Sequence, residues 1–449
     1  MTPPMLLKSS LQLWRLFFLN IAVLLGFSLI CSSSFATVEV DTIEQSFLHQ
    51  TSADASLKLP APGTLIDGKN LADYEAVVEP VLVKLIQEGK LSIQVGESNS
   101  YPVHPAYVEA THKYAANVSL ADEPGVINNY IAGRPFPLIE DADPRAGEKI
   151  AWNMRYAYAP DENEVEKFFW QYRDMRTGKV ERNLAMYGRM MRLKHRHTTE
   201  PKPDLPQNPS EIYNALYLRV NKPPDIANTQ LLIHRQEDDT RKEQVWMYHA
   251  SQRRVRRLAS GQTTDAFLGS DIMIEDFLGF NGRLMDMEWQ YRGSQWLLMP
   301  LYRHTELPFA GEDAEEEGFQ LVGFGGQGNC FPQVTWQLRK VYVLDAMPLS
   351  SNHPLSRRTF YVDAQTASPA LIKIYDRAER LWKLSIAGAS DSNYHHPNNV
   401  VWQGAIVEVV SMIDLQAEHC TTLQLLPRIP DERFRTNLFN VQYMRASGR

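Results

Sequence analysis

The sequence predicts a mainly β, α+β fold: one large curved antiparallel sheet, a half-barrel, covered by a few helices. Three observations predict it. Beyond residue 136, runs of residues alternate apolar and polar with period two or are rich in β-branched and aromatic side chains. Short turn signals separate these runs at hairpin distances, so that neighbours in sequence pair antiparallel. The inventory of 27 Pro, 24 Gly, 9 Trp, 19 Tyr and 18 Phe in 449 residues favours strands over long helices.

In chain order, Lys8 and Arg15 lead into an apolar run from Leu16 to Ile30, and Ser34-Phe35-Ala36 ends it with small residues of the kind a signal peptidase reads. Residues 1–36 therefore read as a cleaved secretory signal. The run falls short of the roughly 20 residues that span a bilayer, and no stop-transfer cluster follows. Lipid attachment at Cys31 is the lesser alternative, because Ile30 is bulky where that site needs a small residue. Residues 37–135 are expected to supply an arm to about Pro62, then helices: Leu71 to Gly89, with Pro80 as a kink, and Pro105 to Leu120. Gly133-Arg134-Pro135-Phe136-Pro137 breaks this texture.

Strands are expected at Lys167–Arg173, Val180–Arg189, Gln230–Gln236, Gln244–Ala250, Asp286–Tyr291, Ser294–Met299, Val334–Leu344, Arg358–Asp363, Ala370–Tyr375, Arg380–Ile386 and Val400–Ile413. Asp174 to Gly178, Asp238-Asp239, Ser251-Gln252, Arg292-Gly293 and Ala364 to Ser368 read as hairpin tips. Pro201 to Pro209 is a connection and Glu312 to Glu317 an acidic surface loop. Residues 136–449 are expected to pack with the preceding region as one domain.

With 46 Lys plus Arg against 53 Asp plus Glu, the formal charge is -7, so nucleic acid is a poor partner. Only Cys330 and Cys420 survive loss of the leader. In an oxidising compartment an even pair without metal-type spacing reads as a disulfide.

The Gly-x-Gly-x-x-Gly pattern at Gly323, Gly325 and Gly328 leads into a strand, whereas a dinucleotide site needs a helix there, so it reads as a loop. Arg253, Arg254, Arg256 and Arg257 flank Val255; a lipid phosphate or a partner's acidic face would suit them, but the favoured reading pairs them with acids such as Glu243. His195 and His197 have strand spacing for a metal but no third ligand, and are expected on a basic surface with Arg192, Lys194 and Arg196. His395-His396 and His419 invite the same caution. Asp265, Asp271, Glu275 and Asp276 lack the ladder of a calcium loop. No hydrolase, zinc-protease or phosphate-loop signature occurs, so neither catalytic residues nor a cofactor are expected. The large apolar residues at period two include Phe168, Trp170, Tyr172, Trp246, Tyr248, Trp289, Tyr291, Trp296 and Leu298. They fit an ordinary core or the wall of an apolar cavity on a concave sheet; the ligand-binding candidates are Phe168, Trp170, Trp246, Tyr248, Trp289, Tyr291 and Trp296.

An ordered set of short segments carries a family resemblance: Tyr101-Pro102-Val103, Gly133-Arg134-Pro135-Phe136-Pro137, Trp152-Asn153 with Arg155, Gln252 through Arg257, Phe280-Asn281-Gly282, Arg339 through Val343, Arg358 with Phe360-Tyr361-Val362-Asp363, and Tyr375-Asp376 with Leu381-Trp382. From about Leu71 onward the chain resembles a proteobacterial periplasmic family of unknown function, labelled outer-membrane lipoprotein-sorting proteins. The resemblance implies a fold similar to the LolA/LolB lipoprotein carriers and company with lipid-type efflux transporters. It carries over no site residues. The region before Leu71 and the loop from Glu312 to Cys330 lie outside it. The expected function is a non-catalytic periplasmic carrier or chaperone for an apolar ligand such as a lipid. The rivals are an accessory subunit of an inner-membrane efflux transporter and a lipid-modifying enzyme.

Overall fold

The computed structural model describes residues 40–50, 56–307, 315–316, 319–392 and 396–448. The leader, with Cys31, and most of the acidic loop lie outside the described residues. No helix among the described residues is long and apolar enough to cross a membrane.

The helices are short. The arm contains α1 (Val40–Ser46), where no helix is expected. Leu71 to Val77 forms two 3-10 turns, and Pro80 starts α2 (Pro80–Gln87) instead of kinking a longer helix. Proline suits that first position because its missing N–H would have no partner there. Glu79 caps α2 by accepting from the Val81 N–H at 2.6 Å. The same carboxylate takes the Lys373 ammonium at 2.7 Å and the Tyr361 hydroxyl at 2.8 Å, pinning the helix to the sheet. Then follow α3 (Pro105–Tyr114) and α4 (Ala146–Arg155), the latter not foreseen.

The strands are β1 (Glu162–Asp174), β2 (Val180–Arg192), β3 (Ile212–Lys222), β4 (Gln230–Gln236), β5 (Gln244–His249), β6 (Arg254–Arg257), β7 (Met287–Met299), β8 (Thr335–Pro348), β9 (Leu355–Asp363), β10 (Pro369–Asp376), β11 (Leu381–Asp391), β12 (Ala405–Asp414) and β13 (His419–Arg428). Helix α5 (Val441–Ser447) closes the described chain. Strands β7 to β13 pair antiparallel in succession, as do β1 to β6, and the β13–β1 pairing joins the two series into one sheet of 16 strands. The short strand Ile93–Val95 pairs parallel with β8 and Leu301–Tyr302 with β11. Arg292-Gly293 is not a hairpin tip: β7 runs through it on a bulge, which Gly293 accommodates at φ +97°.

The half-barrel expectation is corrected. The sheet is open, ends on β6, and is neither closed into a barrel nor strongly curled. Both of its faces are packed. On the first face Leu344, Phe360, Ile372, Met412, Leu423, Trp170, Leu184, Leu218 and Val245 share a core with Ile150 and Trp152 of α4 and with Phe267, Met273 and Leu284 from the connections before β7. On the second face α2 covers the β8–β13 end around Val341, Leu371, Ile386 and Val409, while α5 and Phe439 cover the β2–β5 end around Tyr217, Leu232 and Tyr248. An open sheet covered over most of both sides encloses no concave interior of the half-barrel kind.

Cys330 and Cys420 form the expected disulfide, with Cα atoms 5.9 Å apart and both residues fully buried. The glycine pattern before it is a loop with no following α-helix. Within it, Gly328 sits at φ +66° against Met175, where a Cβ would meet the carbonyl oxygen at 2.4 Å.

Candidate functional site

The seven aromatic candidates do not share one wall. Phe168 and Trp170 on β1, in the middle of the sheet, and Trp289 and Tyr291 on β7, beyond β8, pack in or against the first-face core seven strands apart. Trp170 stands edge-on to Phe168 at 6.2 Å, and Trp289 contacts Phe280 and Phe360. Trp246 and Tyr248 on β5 belong to the second face beneath α5, where the Tyr248 hydroxyl donates to the Gly448 carbonyl at 2.6 Å. Trp296 is partly buried and joins none of these clusters.

An opening lies where the two covers of the second face fail to meet. The first ends at Cys420 on β13 and the second begins at Met191 on β2. Alternation places Phe169 and Gln171 on the uncovered side of β1, with Ala185 opposite Phe169 and Asn183 opposite Gln171 on β2. Pro223 and Pro224, just past β3, complete a groove of about 520 Å³, open to solvent on one side and walled also by Leu184 and Lys222. Gln171 is held by the Arg173 guanidinium, which also donates to Thr422 Oγ1 at 3.2 Å. Exposed Lys222 makes no ion pair among the described residues and leaves a cation at the rim of an otherwise mainly apolar channel. Sequence reasoning chose Phe168 and Trp170 and missed Phe169 because three aromatics stand in succession, and only the pairing register shows which faces the gap.

A second cleft, with an enclosed volume of only about 30 Å³, lies between the α1 segment, α4 and the β8–β9 strands. Its two charged anchors, Arg134 and Asp363, are engaged within the fold. Arg134 donates to the Ser46 and Gln365 carbonyls, and the Asp363 carboxylate receives Arg339 through Nε at 2.7 Å and Nη2 at 3.1 Å. Burial opposes ionisation of Asp363, and Arg339 overrides it, holding the carboxyl below its ordinary range. Burial, and then Arg339, push His49 down to about 4.

His195 and His197 are not on a basic surface. They lie buried with Arg192 and Arg196, packed against Tyr107, Tyr130, Tyr156 and Tyr213. Asp161 gathers the loop by accepting from the backbone N–H groups of His197, Thr198 and Thr199 at 3.0, 2.7 and 2.8 Å. Burial pushes His195 down to about 4 and His197 down to about 3, so both stay neutral. The acids around Phe277 are likewise used in ion pairs: Glu275 and Asp276 hold Arg358, and Asp271 holds His419. Among the described residues no group of three or more His, Cys, Asp and Glu side chains is placed to hold a metal. Arg253, Arg254, Arg256 and Arg257 are all exposed and, contrary to expectation, none pairs with Glu243 or any other acid among the described residues.

The profile of a family described as "Protein of unknown function (DUF1329)" matches residues 65–445. An uncharacterized protein of Pseudomonas aeruginosa is 23% identical over 348 residues, 75% of this chain and 70% of that protein. Two solved structures align with 68% of this chain and 100% of their own, each at a TM-score of 0.46: a domain from Vibrio parahaemolyticus named for outer membrane lipoprotein sorting, 14% identical, and a DUF1329 family protein from Desulfovibrio piger, 15% identical.

Proposed function

The chain belongs to the DUF1329 family, whose description names no activity, and from the groove we propose that it is a non-catalytic binding protein of the periplasm, carrying an amphipathic ligand with an acyl chain and an anionic head. The observation that carries this reading is the gap between the two covers of the sheet. Phe169, Ala185, Pro223 and Pro224 present carbon along the groove, and Lys222 stands at its rim. Its volume lies within the range of ligand sites. Burial of about ten methylenes contributes roughly 8 kcal/mol before the costs of association, so an acyl chain supplies a large part of the binding free energy without any chemistry, and the headgroup contact at Lys222 adds to it. The disulfide supports an oxidising compartment, consistent with the secretory leader read in the sequence.

Native purified protein is expected to carry such a lipid, visible by mass spectrometry of an organic extract. Delipidated protein should bind a fluorescent fatty acid that a natural lipid extract displaces. Ala185→Glu places a carboxylate on the groove floor and should weaken that binding at least tenfold. Folded, delipidated protein that binds neither lipids nor other apolar molecules displaceably overturns the proposal.

A further inference from the structure

Several arginines of this chain are used inside the fold, Arg134, Arg155, Arg196, Arg339 and Arg358 each being held by carboxylates or carbonyls, and others such as Arg241, Arg377 and Arg435 stand singly on the surface. The β5–β6 hairpin differs from both. Arg253 at its tip and Arg254, Arg256 and Arg257 on β6 are exposed and have no acidic partner among the described residues, on a chain of net charge -7. Arg445, on the α5 that packs over the same hairpin, is also exposed and unpaired among the described residues.

The register sets this patch beside the groove. Ala185 pairs with Lys222, Arg219 with Gln230, Gln230 with Tyr248, and His249 with Arg254. The β3–β4 turn that bears the groove prolines and the β5–β6 turn that bears Arg253 therefore lie at the same end of the sheet. Strand β6 is three strands from β3, roughly 14 Å away.

We propose that this arginine edge docks the protein on an anionic phospholipid surface and so brings the mouth of the groove to the lipid. The inference rests on the groove reading above. Guanidinium groups suit phosphate oxygens by their fork of donors. Alternation sends Arg254 and Arg256 to one side of β6 and Arg257 to the other, with Arg253 at the tip, so the charges spread across an edge that meets a plane of headgroups end-on. A charged open edge also resists the addition of another strand, which disfavours an acidic peptide paired along β6.

The test is flotation of the mature protein with phosphatidylcholine vesicles, with and without phosphatidylglycerol, at low and high salt. Wild type should float only with the anionic vesicles, and less as salt rises. Each arginine near such a surface is worth about fivefold, so Arg253→Glu, Arg254→Glu, Arg256→Glu and Arg257→Glu combined should lower partitioning on the order of 100-fold or more. Glutamates keep the edge charged, so its protection against pairing is retained. The same variant should bind the fluorescent fatty acid as wild type does, whereas Ala185→Glu should float normally, which separates failure of docking from failure of the groove. If the fourfold variant melts early, Arg254→Gln with Arg256→Gln serves instead, with an expected loss of about twentyfold or more. Flotation that is absent, indifferent to phosphatidylglycerol, or unchanged in the variants overturns the proposal.

Discussion

Replacing Cys330 and Cys420 together by alanine removes the link between the loop before β8 and the start of β13. The bond joins residues 90 apart in sequence. In the chain-entropy model a loop of that length is worth about 4.6 kcal/mol at 25 °C. For a unit of roughly 400 residues, at about 2.1 cal/mol/K per residue, the unfolding entropy is near 0.85 kcal/mol/K, so the melting temperature should fall by about 5 °C. Both cysteines are fully buried, so the lost sulfur contacts add to the fall. Calorimetry of the mature wild type and the double variant under oxidising conditions measures it, and reductant should move wild type toward the variant. Titration of the unfolded, unreduced mature chain should find no thiol. A melting temperature unchanged to within about 1 °C, or two titratable thiols, refutes the reasoning.

Asp363→Ala should cost about 3–5 kcal/mol in denaturant unfolding, because it strands the fully buried Arg339 guanidinium without its carboxylate; Asp363→Asn, which keeps acceptor oxygen in place, should cost less. Acid should destabilise the fold well before its carboxylates titrate. His195 and His197 have folded pKa values lowered from 6.5 to about 4 and about 3. Both states are neutral above about 6.5, and below it the unfolded chain takes protons that the folded chain refuses, so stability falls as pH drops toward 4 and 3. At about 1.36 kcal/mol per pH unit, His195 alone removes about 3 kcal/mol. Glu275, lowered to about 2 because Arg358 outweighs the burial that opposes its charge, contributes stability above about 4.5 that is lost as pH falls toward 2. Melting temperature should therefore decline between pH 7 and 4, and less in His195→Gln with His197→Gln. A flat profile contradicts the buried, neutral assignment.

Strands rich in β-branched, aromatic and alternating residues were legible in the sequence even where both faces are buried. Gln230–Gln236 agrees at both ends, and Val180, Arg358–Asp363 and Ala370–Tyr375 lie within or start the observed strands. Strand β3 was missed because the succession Ala215-Leu216-Tyr217-Leu218 blurs an alternation that its burial does show, and β13 because it is buried on both faces, His419 to Arg428 showing almost no exposed position. The same cause undid the half-barrel. Period two says that a strand has two environments, not that one of them is empty. The disulfide was legible from two surviving cysteines, whereas the groove was not, because it depends on where α2 and α5 end over the sheet. The buried histidines looked like a basic surface because Asp161, which organises their loop, lies 34 or more residues away in sequence.

The most direct measurement is photo-crosslinking of delipidated mature protein with a diazirine-bearing fatty acid, followed by peptide mapping. Labels are expected on residues 167–187 and 220–226, around Phe169, Ala185 and Pro223, with competition by unlabelled fatty acid and loss of labelling in Ala185→Glu. Competed labels that instead fall on the aromatics of the first-face core, or in the cleft beside Arg134 and Lys340, contradict the assignment of the groove as the ligand site.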